Sequence, residues 1–245
     1  MDTSVDNLVL IVTALPEERK AILGRAQDLR RDPTTDAQAS IGDAMVAIAA
    51  TGDGAWAAES GAGELCDALR PVALVGAGVA GALSPGLSVG DLVVGRRILD
   101  SRGEAPAPDA GFVDRAVRVG AVSGTLLTLE RPAVARSEKA ALAESLGEDG
   151  PGAVDMESAG WARAAAARRI PYLVVRSISD AADEELPAYL ARCIGADGRM
   201  RRVAVLGYSL VRPGTLRALL RMRKRTQACG DRLASFLERF FTATP

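Results

Sequence analysis

Carboxylates are the side chains in this sequence best suited to acid–base chemistry, because the chain contains no histidine. Without imidazole, a Ser-His-Asp triad, a Cys-His pair and the commonest metal ligand are all excluded. Acidic residues lie close to predicted strands at Glu18, Glu157 and Asp180. Proton transfer in this protein is therefore expected to depend mainly on carboxyl groups.

The elements that must position these carboxylates are short apolar runs, which read as buried strands. They are Leu8 to Thr13, Met45 to Ala50, Val72 to Val75 and Tyr172 to Val175. Buried strands that alternate with helices predict an α/β fold in which helices cover both faces of a mostly parallel sheet. Sites in such sheets gather at the carboxyl ends of strands, so one shared cleft is expected.

Helices are predicted after these runs, where charged or alanine-rich segments begin. The predicted ranges are Pro16 to Leu29, from just after Gly54 to about Leu69, and Val154 to Arg169. No repeat of fixed period is visible, which argues against solenoids and propellers. The length of 245 residues suits one large domain, predicted here as residues 1–245.

A glycine pattern follows the predicted strand that ends at Val75. Gly76, Gly78 and Gly81 match GxGxxG, which in dinucleotide-binding folds opens a helix toward a pyrophosphate. Pro85 and Gly86 leave no room for that helix, so a nicotinamide-dependent oxidoreductase is disfavoured. The glycines then allow either a tight turn with close packing, or a close approach of the backbone to a ribose or an anion.

Three longer segments resemble the nucleoside phosphorylase and nucleosidase superfamily, most closely its methylthioadenosine/S-adenosylhomocysteine nucleosidase branch. They are TALPEE at 13–18, GAGVAGALSPGLSVGDLVV at 76–94 and AVDMESAGWARAAAARRIPYLVVRSISDAADE at 153–184. With its connecting segments the resemblance covers Leu8 to Glu184. It implies a three-layer αβα fold with a mixed, mostly parallel central sheet, and cleavage of a purine nucleoside without a cofactor or a metal.

The resemblance also assigns roles to individual residues. It implies that Glu18 activates the attacking water, that Asp180 delivers a proton toward N7 of the purine, and that Glu157 binds the ribose hydroxyls. The other implied site residues are Met156 against the sugar, Gly78 with its backbone near the ribose, and Arg176 and Ser179, which shape and orient the Asp180 loop.

The chemistry agrees with these roles, because glycosidic cleavage passes through an oxocarbenium-like transition state. Such a reaction needs an acid at the leaving group, a base at the water and negative charge near the sugar. Asp180 must hold or relay a proton near neutral pH, which burial or a neighbouring carboxylate such as Asp183 would favour. Taken singly, however, Glu18 and Glu157 also fit helix starts and Asp180 fits a turn.

Some positions depart from the pattern of the nucleosidase branch. Val79 stands where a small hydroxyl residue usually lies near the ribose, and Leu127, followed by Thr128, stands where an aromatic residue usually stacks on the purine. Base recognition is therefore expected to differ or to be weaker. Asp53 places negative charge where a phosphorylase would bind phosphate, which favours water as the acceptor. Arg96 or Arg97 could still reach a phosphate, so phosphorolysis stays open.

The last part of the chain, from about 196 to 245, is predicted as a basic helical extension. Leucines at helical spacing alternate there with Arg221, Arg223, Lys224 and Arg225. The region is loosely similar to that of hopanoid-associated members, thought to act on an adenosyl group attached to a lipid. Such a helix either lies on an anionic membrane surface or packs its leucines on the core.

Composition bounds the remaining expectations. The formal net charge is −1, which gives no overall electrostatic footprint for nucleic acid. The acidic start of the chain lacks the basic residues of a signal peptide, and the cysteines match no disulfide or zinc spacing. We expect a cytoplasmic protein, and the resemblance implies a homodimer. The competing functions are a purine nucleoside phosphorylase and a non-catalytic nucleoside-binding protein.

Overall fold

The computed structural model describes residues 7–32, 34–147, 150–187 and 213–242. Its strands are β1 (Val9–Thr13), β2 (Gln27–Arg30), β3 (Ala37–Ile41), β4 (Ala44–Ala50), β5 (Ala73–Ala82), β6 (Leu92–Asp100), β7 (Gly103–Glu104), β8 (Val122–Thr128), β9 (Gly152–Asp155) and β10 (Tyr172–Asp180). Its helices are α1 (Pro16–Leu23), α2 (Ala55–Leu69), α3 (Ala110–Arg118), α4 (Arg136–Leu146), α5 (Ser158–Ala167) and α6 (Pro213–Thr242).

The strands form one mixed sheet in the order β10-β6-β8-β9-β5-β1-β4-β3-β2. The neighbours β4, β1, β5 and β10 run parallel at its centre. Antiparallel pairings add β6 to β10, β9 to β5 and β3 to β4. Because β10 pairs with both β5 and β6, the strands β10, β6, β8, β9 and β5 close into a ring.

Helices cover both faces of this sheet, which confirms the predicted αβα architecture. Alternate residues of β1 enter different cores: Leu10 packs with α2 and α5, and Ile11 packs with α1, α3 and α6. This alternation is what a strand buried on both faces requires. A smaller apolar cluster under α4 contains Leu83 and Val154.

Some predicted boundaries are wrong, and tertiary pairing explains the differences. The first helix ends at Leu23 rather than Leu29, because Gln27–Arg30 pairs with β3 as β2. Val154 and Asp155 belong to β9, which pairs with β5 and β8, so the helix predicted from Val154 begins at Ser158. Both segments have local helical character that sheet pairing overrides.

The C-terminal helix packs on the core over its described second half. Cys229, Leu233, Phe236, Leu237 and Phe240 are all buried. Arg221, Arg223 and Lys224 are exposed. The basic segment at 196–212 and the side chains of the leucines at 216–220 lie outside the described residues. Within the described part of the chain, no helix combines the length and the apolar character needed to cross a membrane.

Candidate active site

Glu18 is fixed by the transition from β1 to α1. Pro16 begins the helix, and the Glu18 carboxylate turns back so that one oxygen accepts hydrogen bonds from the N–H groups of Ala14 (3.1 Å) and Leu15 (3.0 Å). Its other oxygen accepts the N–H of Val79 on β5, at 3.0 Å. One side chain therefore both satisfies the helix start and links it to the central strand. Only 2% of Glu18 is exposed.

Glu157 occupies the N-cap position of α5, two residues after the end of β9. Its Oε1 accepts the N–H of Gly54, at 3.2 Å, where α2 begins. Its Oε2 accepts a hydrogen bond from Nη2 of Arg176, at 3.3 Å. Glu157 thus joins the amino ends of two helices to β10, and it is buried.

Arg176 is the cation that these groups share. It is fully buried on β10, with its guanidinium 4.5 Å from the ring centroid of Trp161. Besides Glu157 it binds Ser158 Oγ, at 2.9 Å from Nε, and the carbonyl oxygen of Val79, at 3.3 Å from Nη1. The resemblance implies that Arg176 orients the Asp180 loop, and these contacts place it on the Glu157 side of the site.

Asp155 completes the buried charge around Arg176. Its Oδ2 lies 3.3 Å from Nε of Arg176. Its Oδ1 accepts the N–H groups of Glu157 and Ser158, each at 3.0 Å, so it starts α5 as a capping carboxylate does. Thr128 donates its hydroxyl to the same oxygen, at 2.9 Å, and accepts the N–H of Ala159. The hydroxyl of Thr128, a residue predicted to contact substrate, therefore positions Asp155.

Asp180 lies at the end of β10, where a bulge breaks the register with β5. Its Oδ1 accepts the hydroxyl of Ser179, at 2.6 Å, and Ser179 also lies 3.2 Å from the carbonyl oxygen of Ala80. Its Oδ2 forms an ion pair with Lys139 of α4. The predicted neighbour was a carboxylate, and the partner found is an ammonium group.

Lys139, like Asp155, is a site residue that is absent from the sequence predictions. A signal for it exists, because Lys139 precedes Leu142, Ala143 and Leu146 at helical spacing, which places a lysine on the apolar face of α4. Its partner is distant in sequence, however, and spacing within one helix does not reveal it.

The glycines of β5 are sites of close packing in an extended strand, not of a tight turn. Each lacks a Cβ where a side chain of the site lies against the backbone. An added methyl would lie 2.5 Å from Trp161 at Gly76, within 2.4 Å of Arg176 and 3.0 Å of Glu18 at Gly78, and 2.8 Å from Asp180 at Gly81.

The other predicted residues lie around this core. Met156 is half-buried between Asp155 and Glu157. Val79 is also half-buried. Its backbone N–H donates to Glu18, and its carbonyl oxygen accepts from Arg176. Leu127 packs against the apolar cluster under α4. In the described part of the chain, no cluster of acidic and cysteine side chains has the arrangement of a metal site.

Burial dominates the electrostatics of the paired carboxylates. Desolvation raises the pKa of Glu18 above its ordinary value, although Arg176 and the N–H groups that bind it act in the opposite direction. Desolvation raises the pKa of Glu157 to about 7; Arg176 lowers it, and the charges of Asp155 and Glu18 raise it. The ionisation of Glu157 therefore depends on the charge of Glu18, which is one of the groups that raise its pKa.

This shift predicts how Glu157 affects stability. A carboxyl with a pKa of about 7 when folded and 4.5 when unfolded binds a proton on folding, so its contribution is greatest below pH 4.5 and is lost as pH rises through 7. Glu157→Gln removes the charged form. We expect it to stabilise the ligand-free protein by on the order of 2–3 kcal/mol at pH 8 and to give no comparable gain at pH 4.5.

Denaturant unfolding at the two pH values measures this difference. Glu144→Gln, a matched change at an exposed carboxylate of α4, is the control and should show no such pH-dependent gain. Equal effects of Glu157→Gln at both pH values would contradict the assignment.

Known proteins share both the sequence pattern and this fold. The sequence matches the Phosphorylase superfamily over residues 8–196. It is 27% identical over 207 residues to a 5'-methylthioadenosine/S-adenosylhomocysteine nucleosidase of Glaesserella parasuis, covering 71% of this chain and 86% of that protein. A nucleosidase of the same name from Exiguobacterium is 28% identical over 166 residues, with 59% of this chain and 71% of that protein covered.

The fold is shared more completely than the sequence. The structure superposes on the S. pneumoniae nucleosidase bound to a transition-state inhibitor with a TM-score of 0.72 at 20% identity, covering 96% of this chain and 99% of that one. Since the superfamily match spans most of the chain and includes every carboxylate described above, the chain belongs to the phosphorylase superfamily.

Proposed function

We propose that this protein hydrolyses the N-glycosidic bond of an adenine nucleoside and releases the base. The observation that carries the proposal is the arrangement of carboxylates along β5: Glu18 lies against Gly78 and Asp180 lies against Gly81. These positions are about 10 Å apart along an extended strand. A base and an acid that adjoin one strand at two separate points can act on the attacking water and on the leaving group of one substrate, as in inverting glycoside hydrolases.

Each group has a distinct task in the proposed reaction. Glu18 takes a proton from the attacking water, and the burial that raises its pKa makes it a stronger base than an exposed carboxylate. Glu157, when ionised, accepts hydrogen bonds from the ribose hydroxyls and places negative charge beside the oxocarbenium-like sugar. Asp180 donates a proton to N7, so that the base departs neutral. Met156 and Val79, both half-buried, contact the sugar, and Leu127 borders the base.

The relatives support an adenine nucleoside as the substrate class, because their names specify methylthioadenosine and S-adenosylhomocysteine. The 5′ substituent of the substrate is either the substituent of one of those compounds or a lipid. Val79 and Leu127, where a hydroxyl and an aromatic residue are usual, favour a substrate that differs from the small methylthio compounds.

Incubation with methylthioadenosine, S-adenosylhomocysteine and adenosine, with and without phosphate, tests the function. We expect free adenine by chromatography at a rate that phosphate does not change. Release that depends on phosphate would instead establish a phosphorylase. Binding by calorimetry without any release would establish a nucleoside-binding protein.

We further propose a cytoplasmic homodimer built from one domain, 1–245. Trp56 supports the dimer, because it is 75% exposed in the first turn of α2, two residues after the Gly54 that binds Glu157. Peripheral membrane contact would use the exposed Arg221, Arg223 and Lys224. Sedimentation of the protein alone tests the dimer, and a monomer would contradict it. Sedimentation with anionic vesicles tests the membrane contact, and vesicle binding that is unchanged when these three basic residues are neutralised would contradict it.

A further inference from the structure

Lys139 is fully buried, and its ammonium group is saturated with acceptors. Besides the ion pair with Oδ2 of Asp180, Nζ donates to the carbonyl oxygens of Ala181, at 2.8 Å, and Glu184, at 3.1 Å. An ammonium has three protons to donate, and each has an acceptor here. Lys139 therefore holds both the Asp180 carboxylate and the backbone that follows it.

The surroundings of Lys139 make this placement costly. The neighbouring inward residues of α4, namely Leu142, Ala143 and Leu146, pack against an apolar cluster that includes Leu83 and Val154. Removing an ammonium from water is costly, and a buried ion pair as a whole often stabilises a fold no more than well-packed apolar side chains in its place would. A lysine at this position is explained better by what it does to Asp180 than by stability.

The segment after Asp180 is also held by a second, more exposed ion pair. Arg225 of α6 binds both carboxylate oxygens of Glu184, at 2.5 and 2.7 Å. Arg225 is 39% exposed at its side chain, whereas that of Lys139 is 1% exposed. Arg225 holds this segment through the Glu184 side chain, whereas Lys139 holds its backbone and also contacts Asp180.

We infer that Lys139 is a positioning residue for the leaving-group side of the reaction, which holds Asp180 and supplies the proton that departs with the base. This inference rests on the proposed function. As the glycosidic bond breaks, its electron pair moves to N9 and N7 takes a proton from Asp180. Asp180 starts as the carboxylate of the ion pair, so Nζ of Lys139 first passes a proton to Oδ2, and N7 then takes that proton. Asp180 is again a carboxylate at the end, and Lys139 is a neutral amine.

The proton balance closes through the attacking water. The oxygen of that water bonds to C1′, and Glu18 takes one of its protons. That proton returns to Lys139 through solvent at the end of the turnover. No oxidant, metal or further reactant is needed.

A comparison of two leaving groups tests the inference. Lys139→Met removes the ammonium at similar side-chain volume. On an adenine nucleoside we expect kcat to fall by about 100-fold or more, the usual contribution of a general acid. On para-nitrophenyl β-D-ribofuranoside, whose nitrophenolate departs without protonation, we expect a rate close to that of the wild type.

Two further variants separate the positive charge of Lys139 from its proton, and its contact with Asp180 from the attachment of the following segment to α6. Lys139→Arg keeps the positive charge and the ion pair, but arginine does not release its proton, so adenine release should still fall at least about tenfold. Arg225→Met, the matched control, frees Glu184 from α6 and should leave the ratio of the two rates unchanged.

The outcomes distinguish this inference from the proposed function. Equal losses on both substrates in Lys139→Met, or full adenine release by Lys139→Arg, would overturn the role of Lys139 and leave the nucleosidase function standing. Wild-type protein that releases neither adenine nor nitrophenolate would overturn the function and the inference together. Selective loss of adenine release supports both.

Discussion

Glu18→Gln is expected to lower kcat for adenine release by on the order of a thousandfold, within the range for loss of a general base. The amide cannot take a proton from water. Its carbonyl oxygen still accepts the N–H groups of Ala14 and Leu15, so the start of α1 is kept. The amide nitrogen, however, would face the N–H of Val79, which now binds Oε1.

Steady-state kinetics and calorimetry together measure this effect. The Kd for a nucleoside should change far less than kcat, because the base acts on the water rather than on the bound substrate. Glu17→Gln, at the exposed neighbouring position, is the matched control and should keep wild-type kinetics. A Glu18→Gln protein with substantial turnover would disprove the role of Glu18.

The second large effect is expected from Arg176→Met. Arg176 is the buried cation that offsets the charges of Asp155 and Glu157, at 3.3 Å from each, and it acts on Glu18 as well. Its loss leaves buried carboxylates without a partner, which typically costs about 3–5 kcal/mol. We expect the free energy of unfolding to fall by that amount at pH 8 and by less at pH 5, where Glu157 carries a proton.

Denaturant unfolding at both pH values tests this expectation. Arg25→Met, which breaks an ion pair between the segment after α1 and α6 with both side chains 47% exposed, is the control and should change stability little. Arg176→Lys should rescue only part of the loss, because one ammonium cannot replace a planar guanidinium that binds several groups and stacks on Trp161. An equal loss at both pH values would argue against carboxylate repulsion as the cause.

The sequence predicts the chemical groups of the site better than the way they are connected. Glu18 and Asp180 adjoin short apolar runs whose strand character is local, and β1 and β4 follow the predicted ranges within one residue. The GxGxxG pattern shows that a local rule was insufficient. Its glycines allow a tight turn as one of two interpretations, yet they continue β5, because pairing with β10 extends along both strands.

The contacts of Arg176 and Lys139 show why the rest could not be predicted. Arg176 binds Val79, 97 positions away, and Lys139 binds Asp180, 41 positions away. Such contacts depend on the order of strands in the sheet, which no local periodicity encodes. The roles assigned to Glu18, Glu157 and Asp180 remain predictions until the variants are measured.

The glycines of β5 restrict which substitutions this protein can accept along that strand. Alanine is a mild replacement at most positions, but at Gly76, Gly78 and Gly81 even one methyl meets a site side chain at less than 3 Å. Mutational tolerance along this strand should therefore depend on whether any side chain is present rather than on its size. Family members that change substrate would then vary other residues of the site, while Gly76, Gly78 and Gly81 stay constant.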